Sequence, residues 1–133
     1  MSHHDLEIVR RVNAAFSSGD TERILALVHP DFETAVGPEL SVEPDTYRGH
    51  DGVRRYFTSF RDAMDEIRFD PERFREAGAS VVVALRLSAK GRSTGIVVEQ
   101  HLGQVWTIRD GKAIHVQSYV SYQEALRAAG LAG

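Results

Sequence analysis

Two hydrophobic periods divide the chain. Up to about Met64, apolar residues recur every three or four positions; beyond Ile67 they alternate or run together. Leu6, Val9, Val12 and Phe16 define one face of a helix that Asp5 can cap. Ser18-Gly19-Asp20 ends it, and Asp20 or Thr21 opens a short second helix carrying Ile24, Leu25, Leu27 and Val28. His29-Pro30-Asp31 stops that helix, because a residue before proline is pushed out of the right-handed helical region. FETAV, 32–36, then reads as a short strand. Residues 37–49, rich in Gly, Pro and Ser, read as a loop long enough to serve as a lid or binding loop. His50 belongs to that loop, and Asp51 is the expected cap of a third helix. Val53, Phe57, Phe60 and Met64 share one face of it, with Arg54, Arg55, Arg61 and Asp62 away from them.

The second half reads as strands. Residues 67–78 are interrupted by Asp70-Pro71, which predicts an edge or bent strand. Residues 80–91 begin with a continuous apolar run, as in a strand covered on both faces. GRSTG, 91–95, is a turn or bulge. Residues 96–109 form a long strand in which Gly103 is expected to mark a bulge or bend. AIHVQSYVS, 113–121, is the last strand, and 122–131 a terminal helix. Helices followed by antiparallel strands predict a single α+β domain over 1–133, with helices packed on one face of a curved, mostly antiparallel sheet.

Composition narrows the chemistry. Sixteen basic residues against nineteen acidic ones give no broad positive field for nucleic acid or an anionic membrane surface. The absence of cysteine excludes disulfides, zinc–thiolate sites and thiol nucleophiles. No apolar run approaches the ~20 residues of a membrane span, and MSHHDLEIVRRV lacks the apolar core of a signal peptide; a cytoplasmic domain is expected. GRSTG lacks the lysine and following helix of a phosphate loop, and no serine sits in a nucleophile elbow. No cofactor and no metal are expected.

Three landmarks carry a family resemblance: FSSGDTERILALVHPDF (16–32), YRGHDGVRRYF (47–57) and QVWTIRDGKAIHVQSYVSYQEAL (104–126). In this order the chain resembles the nuclear transport factor 2-like superfamily, in its SnoaL-like, ketosteroid-isomerase-like group. The resemblance implies a cone-shaped fold with a deep pocket between sheet and helices. It does not imply one activity, since the fold hosts isomerases, cyclases, hydrolases, dehydratases and non-catalytic binders. The isomerases carry a tyrosine on the first helix, a general-base aspartate on the first strand and a second aspartate before the last hairpin. Aligning the Gly19-Asp20 turn places Val12 and Val36 at the first two positions. Aligning Tyr119-Val120-Ser121 places Gln104, within one residue, at the third. Valine takes no proton, and Gln104 can donate a hydrogen bond but cannot titrate. Steroid isomerisation is therefore not expected. The Asp-Arg-Asp set of epoxide-hydrolase-like members is also missing, and residues 113–121 hold no aspartate to match that of the polyketide cyclases.

The hairpin around Asp110-Gly111 sets the faces, and its turn allows two registers. A two-residue turn pairs Arg109 with Lys112, sets Trp106 opposite His115 and Gln104 opposite Gln117, and brings the histidine into the pocket. A three-residue turn with Gly111 as a bulge pairs Ile108 with Lys112 and sets Trp106 opposite Ile114, Gln104 opposite Val116 and Leu102 opposite Ser118. His115, Gln117 and Tyr119 then fall on the other face. One residue of slip exchanges the faces. The three-residue turn gathers the more apolar set on one side and agrees with the resemblance, in which positions matching Val116, Ser118 and Val120 line the pocket.

On that register the pocket is lined by Phe16, Phe57, Phe60, Leu102, Trp106, Val116 and Val120, with Gln104 and Ser118 as polar points. Arg86 and Tyr56 are further candidates, as a carboxylate binder and a hydroxyl donor. A buried Gln104 needs partners, which favours a ligand or an ordered water. Glu99, His101 and His115 form the alternative polar cluster, readable as a carboxylate–imidazole pair or a metal site, against the plainer reading as surface or interface residues. The expected ligand is a small hydrophobic or aromatic molecule with one or two oxygens. The Tyr, His and Gln of the outer sheet face suit a homodimer interface. Cofactor-free acid–base catalysis and non-catalytic binding both remain open.

Overall fold

The computed structural model describes residues 2–36 and 45–131. Two helices, α1 (Ser2–Ser18) and α2 (Thr21–Leu27), lead into strands β1 (Val28–Val36) and β2 (Asp45–Arg48). Helix α3 (Gly49–Ala63) precedes β3 (Met64–Ala77), β4 (Ser80–Gly91), β5 (Val97–Arg109) and β6 (Lys112–Tyr119), and α4 (Tyr122–Ala128) closes the order. The six strands form one sheet in the order β2-β1-β6-β5-β4-β3, antiparallel except where β1 runs parallel to β6. Helix α1 packs across β3, and α3 against β1 and β2. The aromatic side chains of Phe16, Phe57 and Phe69 meet between helices and sheet.

Local chemistry explains the ends. Asp20 caps α2, its carboxylate accepting from the Arg23 N–H at 3.2 Å. The chain then turns into β1 at Val28, four residues before the expected strand, so His29-Pro30-Asp31 stops the helix from inside the strand. Strand β2 lies within the stretch read as loop, and residues 37–44 of that stretch lie outside the described residues. Asp51 is not the cap of α3. The helix starts at Gly49 with Arg48 at the cap position and no side-chain cap bond, while Asp51 pairs with Arg54 at 3.0 Å. His50 sits in the first turn, where its Nε2 donates to the Val28 carbonyl at 2.9 Å and ties α3 to β1.

Met64 to Glu66, expected to continue the helix, belong to β3, because Met64 and Asp65 supply partners for Gly91 and Lys90 at the end of β4. The ladder absorbs an extra residue near Glu66, whose φ is 52°, and another beside Pro71. As Asp70-Pro71 predicts, β3 is an edge strand. Strand β4 is covered on both faces: Val81, Val83 and Leu85 join the main core, and Val82 packs under Ala125 and Leu126 of α4. Gly103 is not a bulge. Its ladder to Ala84 runs without a shift, and the glycine lets α4 approach the sheet.

The hairpin resolves in a way neither simple register describes. Asp110 and Gly111 both have positive φ, at 53° and 75°, and Arg109 pairs with Lys112: the two-residue turn. Ile108 pairs with Ala113, not with Lys112. Then Ile114 is skipped as a bulge, so Thr107 faces His115, Trp106 faces Val116 and Gln104 faces Ser118. The turn takes the residues it favours, and the bulge restores the apolar face.

Candidate functional site

Between α1, α3 and the concave face of the sheet lies an apolar cavity. The centre of a water-sized sphere can move through about 60 Å³ of it, several times the roughly 10–15 Å³ that one water requires. Of the expected lining, Phe16, Phe57, Leu102 and Val116 form walls, and Gln104, Ser118 and Tyr56 supply polar atoms. Thr34, Tyr47, Phe32, Phe69, Leu85 and Leu87 were not anticipated there. Four of them had a signal: Phe32 and Thr34 alternate inward along FETAV, and Leu85 and Leu87 along β4. Tyr47 had none, because its strand lay inside an apparent loop.

Four expected lining residues fall elsewhere. Trp106 is fully buried behind the cavity wall, where its Nε1–H donates to Gln104 Oε1 at 2.9 Å. Phe60 is core, set edge-on to Tyr56 and Phe69. Val120 is 52% exposed because β6 ends at Tyr119 and Ser121 caps α4, turning the chain away. Arg86 faces outward, paired with Asp70 at 3.4 Å. The alternation Val83, Leu85, Leu87 already assigned it to that side.

The polar cluster separates. His101 on the outer face lies between two carboxylates, its Nδ1 3.3 Å from Glu72 and its Nε2 3.4 Å from Glu99. Each carboxylate takes a different ring nitrogen, so the three do not converge on one point. His115 lies further along the sheet, opposite Thr107 and beside Glu33 of β1. Among the described residues no group of three or more His, Cys, Asp or Glu could hold a metal ion. Tyr119 packs toward α4, so part of the outer face is covered within the chain itself.

The hydrogen-bonding atoms of the cavity are neutral. No described lining residue is a carboxylate or an imidazole. Burial, reinforced by the neighbouring Tyr47 phenol, pushes the Tyr56 hydroxyl above its ordinary pKa. Tyr56 therefore stays protonated and offers a hydroxyl. Thr34 Oγ1 donates to the Val116 carbonyl at 2.6 Å across the β1–β6 ladder.

A curved sheet and helices closing over an apolar cavity with a few neutral polar groups define a nuclear transport factor 2-like α+β cone. The chain belongs to the SnoaL-like domain family, whose model matches residues 9–116. Solved structures share the fold. A nuclear transport factor 2-like protein of unknown function from Burkholderia pseudomallei is 23% identical, with 93% of this chain and 95% of that one covered and a TM-score of 0.78. TerC, co-crystallised with polyporic acid, is 24% identical over 96% of this chain and 98% of that one, with a TM-score of 0.78. A Catenulispora acidiphila protein with a ketosteroid isomerase-like fold, in complex with trimethylamine, is 15% identical over 94% and 93%, with a TM-score of 0.76. No curated protein matches the chain. No helix among the described residues is long and apolar enough to cross a membrane.

Proposed function

We propose that the chain holds a small, mostly apolar, oxygenated organic molecule in this cavity, and that it does so without proton shuttling by a carboxylate or an imidazole. One observation carries the reading: the described lining combines aromatic and aliphatic walls with Thr34, Gln104, Ser118 and two tyrosines, and holds no carboxylate and no imidazole. Isomerase, cyclase, dehydratase or hydrolase chemistry of the acid–base kind needs a titratable group with a matched pKa, and the described wall lacks one. The co-crystals of TerC with polyporic acid and of the Catenulispora protein with trimethylamine support a fold that admits small molecules.

Ligand-induced stabilisation tests the reading. Ethylbenzene, indole and 2-naphthol are expected to raise the Tm of the protein, and Val116→Phe, which fills the cavity, is expected to abolish the shift. If no probe moves the Tm at saturation, the reading fails. A homodimer is part of the same proposal. Ile96, with Val97 and Val98 at the start of the stretch of β5 that extends past its pairing with β6, is exposed, and a second copy of the chain would cover the three. Sedimentation equilibrium returning a monomer at all concentrations would remove that element without touching the first.

A further inference from the structure

Two of the cavity's polar groups have their hydrogen-bonding sense fixed by neighbours that allow one direction only. The indole nitrogen of Trp106 carries a hydrogen and accepts nothing, so the Gln104 atom 2.9 Å from it must be the carbonyl oxygen. The amide is thereby held with its NH₂ free: among the described residues Gln104 makes no other hydrogen bond. It is 4% exposed and lines the cavity. The opposite constraint acts on Thr34. The Val116 carbonyl can only accept, so the Thr34 hydroxyl spends its hydrogen there and leaves its oxygen lone pairs open. Ser118, opposite Gln104 on β6, and Tyr56 carry hydroxyls that rotate and impose no direction.

We propose that Trp106 and the Val116 carbonyl write a polarity into the cavity, with Gln104 a fixed donor on β5 and Thr34 a fixed acceptor on β1, so that it selects an uncharged ring compound bearing a carbonyl oxygen toward β5 and a hydroxyl toward β1. The inference rests on the cavity being a binding site. It goes further by naming the ligand's functional groups and their order, and by making Trp106 a positioning residue that the ligand need not touch. The two strands flank β6, so their backbones lie about 10 Å apart. The two groups therefore sit on opposite sides of a ring rather than on neighbouring atoms. A carboxylate in the ligand is disfavoured, because no described lining residue carries a positive charge to meet it.

Four matched probes read this out: 4-hydroxyacetophenone, acetophenone, 4-ethylphenol and ethylbenzene, titrated by calorimetry at a pH where the phenols are neutral. Acetophenone is expected to bind roughly 5–10-fold tighter than ethylbenzene, and 4-hydroxyacetophenone tightest, each bond being of the usual neutral strength. Trp106→Phe keeps an aromatic ring but releases the amide. It should cut the acetophenone-to-ethylbenzene ratio to about twofold or less while leaving ethylbenzene affinity nearly unchanged. Thr34→Val should remove the gain from the added hydroxyl and leave the ketone preference intact. Gln104→Met, which removes the donor without touching Trp106, should remove the ketone preference even if Trp106→Phe does not fold. A loss in Trp106→Phe common to all four probes would make the tryptophan merely structural and overturn the proposal, as would a ketone preference that survives Gln104→Met. Binding of ethylbenzene with no discrimination among the four would overturn the polarity alone. No binding of any probe would overturn the cavity reading and the polarity with it.

Discussion

Gly103 lies directly beneath Ala125: a Cβ built on the glycine would stand 2.6 Å from the alanine's Cβ, and as close to the carbonyl oxygen of Ser121. Backbone cannot yield as a flexible side chain can. Gly103→Ala is therefore expected to push α4 away from β4 and β5, expose Val82 and Leu126, and cost about 1–3 kcal/mol, the usual range for overpacking. Thermal unfolding checks it, with a Tm lower by several degrees. A Tm unchanged within error would mean that α4 is not held as close as described.

Phe16 makes ring contacts with Phe57 at 4.7 Å, Phe69 at 5.2 Å and Trp106 at 6.0 Å. Because it serves both the core and the cavity wall, Phe16→Ala should cost about 3–5 kcal/mol. It should also admit larger ring compounds than the parent protein binds. Urea denaturation measures the first effect, and ligand-induced Tm shifts the second. A loss below about 1 kcal/mol would mean the surrounding rings collapse into the gap.

Ligand affinity should be flat between about pH 5 and 8, the window in which a histidine or a raised carboxyl would change charge. The Tyr56 hydroxyl, pushed upward by burial, stays neutral throughout. Calorimetric titration of acetophenone across that window is the measurement. A titrating affinity would mean that an ionisable group outside the described lining reaches the ligand.

Stability at acid pH has a different origin. The Arg48 guanidinium beside Glu33 holds that carboxyl below its usual range, and the Thr46 N–H, with Arg55, does the same for Asp45. A pKa depressed in the folded state contributes stability that is complete above the unfolded value and is lost as pH falls through the folded one. Glu33→Gln should therefore lower Tm slightly near neutrality, and the difference from the parent should shrink as pH falls below the ordinary glutamate range and through the depressed folded value. Both groups are surface exposed and screened, so the effect is small. Tm profiles of the two proteins that stay parallel down to the lowest pH would refute the assignment.

How much of this could be read from the chain varied with the kind of signal. Periodic signals transferred well: the helical faces around Val9, Val12 and Phe57, the edge strand broken at Pro71, and the doubly covered start of β4 all follow from residues that fit one period. Tertiary pairing was harder. Met64 and Asp65 continue a good helical face, yet β4 needs their backbones, and no local preference records that demand. Asp45–Arg48 sits among turn residues and becomes a strand only because β1 lies beside it. In the site, alternation along β5 and along β6 put Gln104 and Ser118 on the face that lines the cavity. The partnership between Gln104 and Trp106, two residues apart on one face, was visible only as a shared direction, and the hydrogen bond that gives it meaning was not.

The bulge at Ile114 has a consequence for how such a wall could change its chemistry. It makes the last strand one residue longer than its partner, and that spare residue need not sit where it does. Shifted two positions along β6, with Val116 skipped in place of Ile114, the same chain would set His115 opposite Trp106 and keep Ser118 opposite Gln104. An imidazole would enter the cavity without a single substitution. Proximity between the ring protons of Trp106 and His115 in a nuclear Overhauser experiment would reveal such a population. The position of one unpaired residue thus separates a described wall without an imidazole from one that carries it.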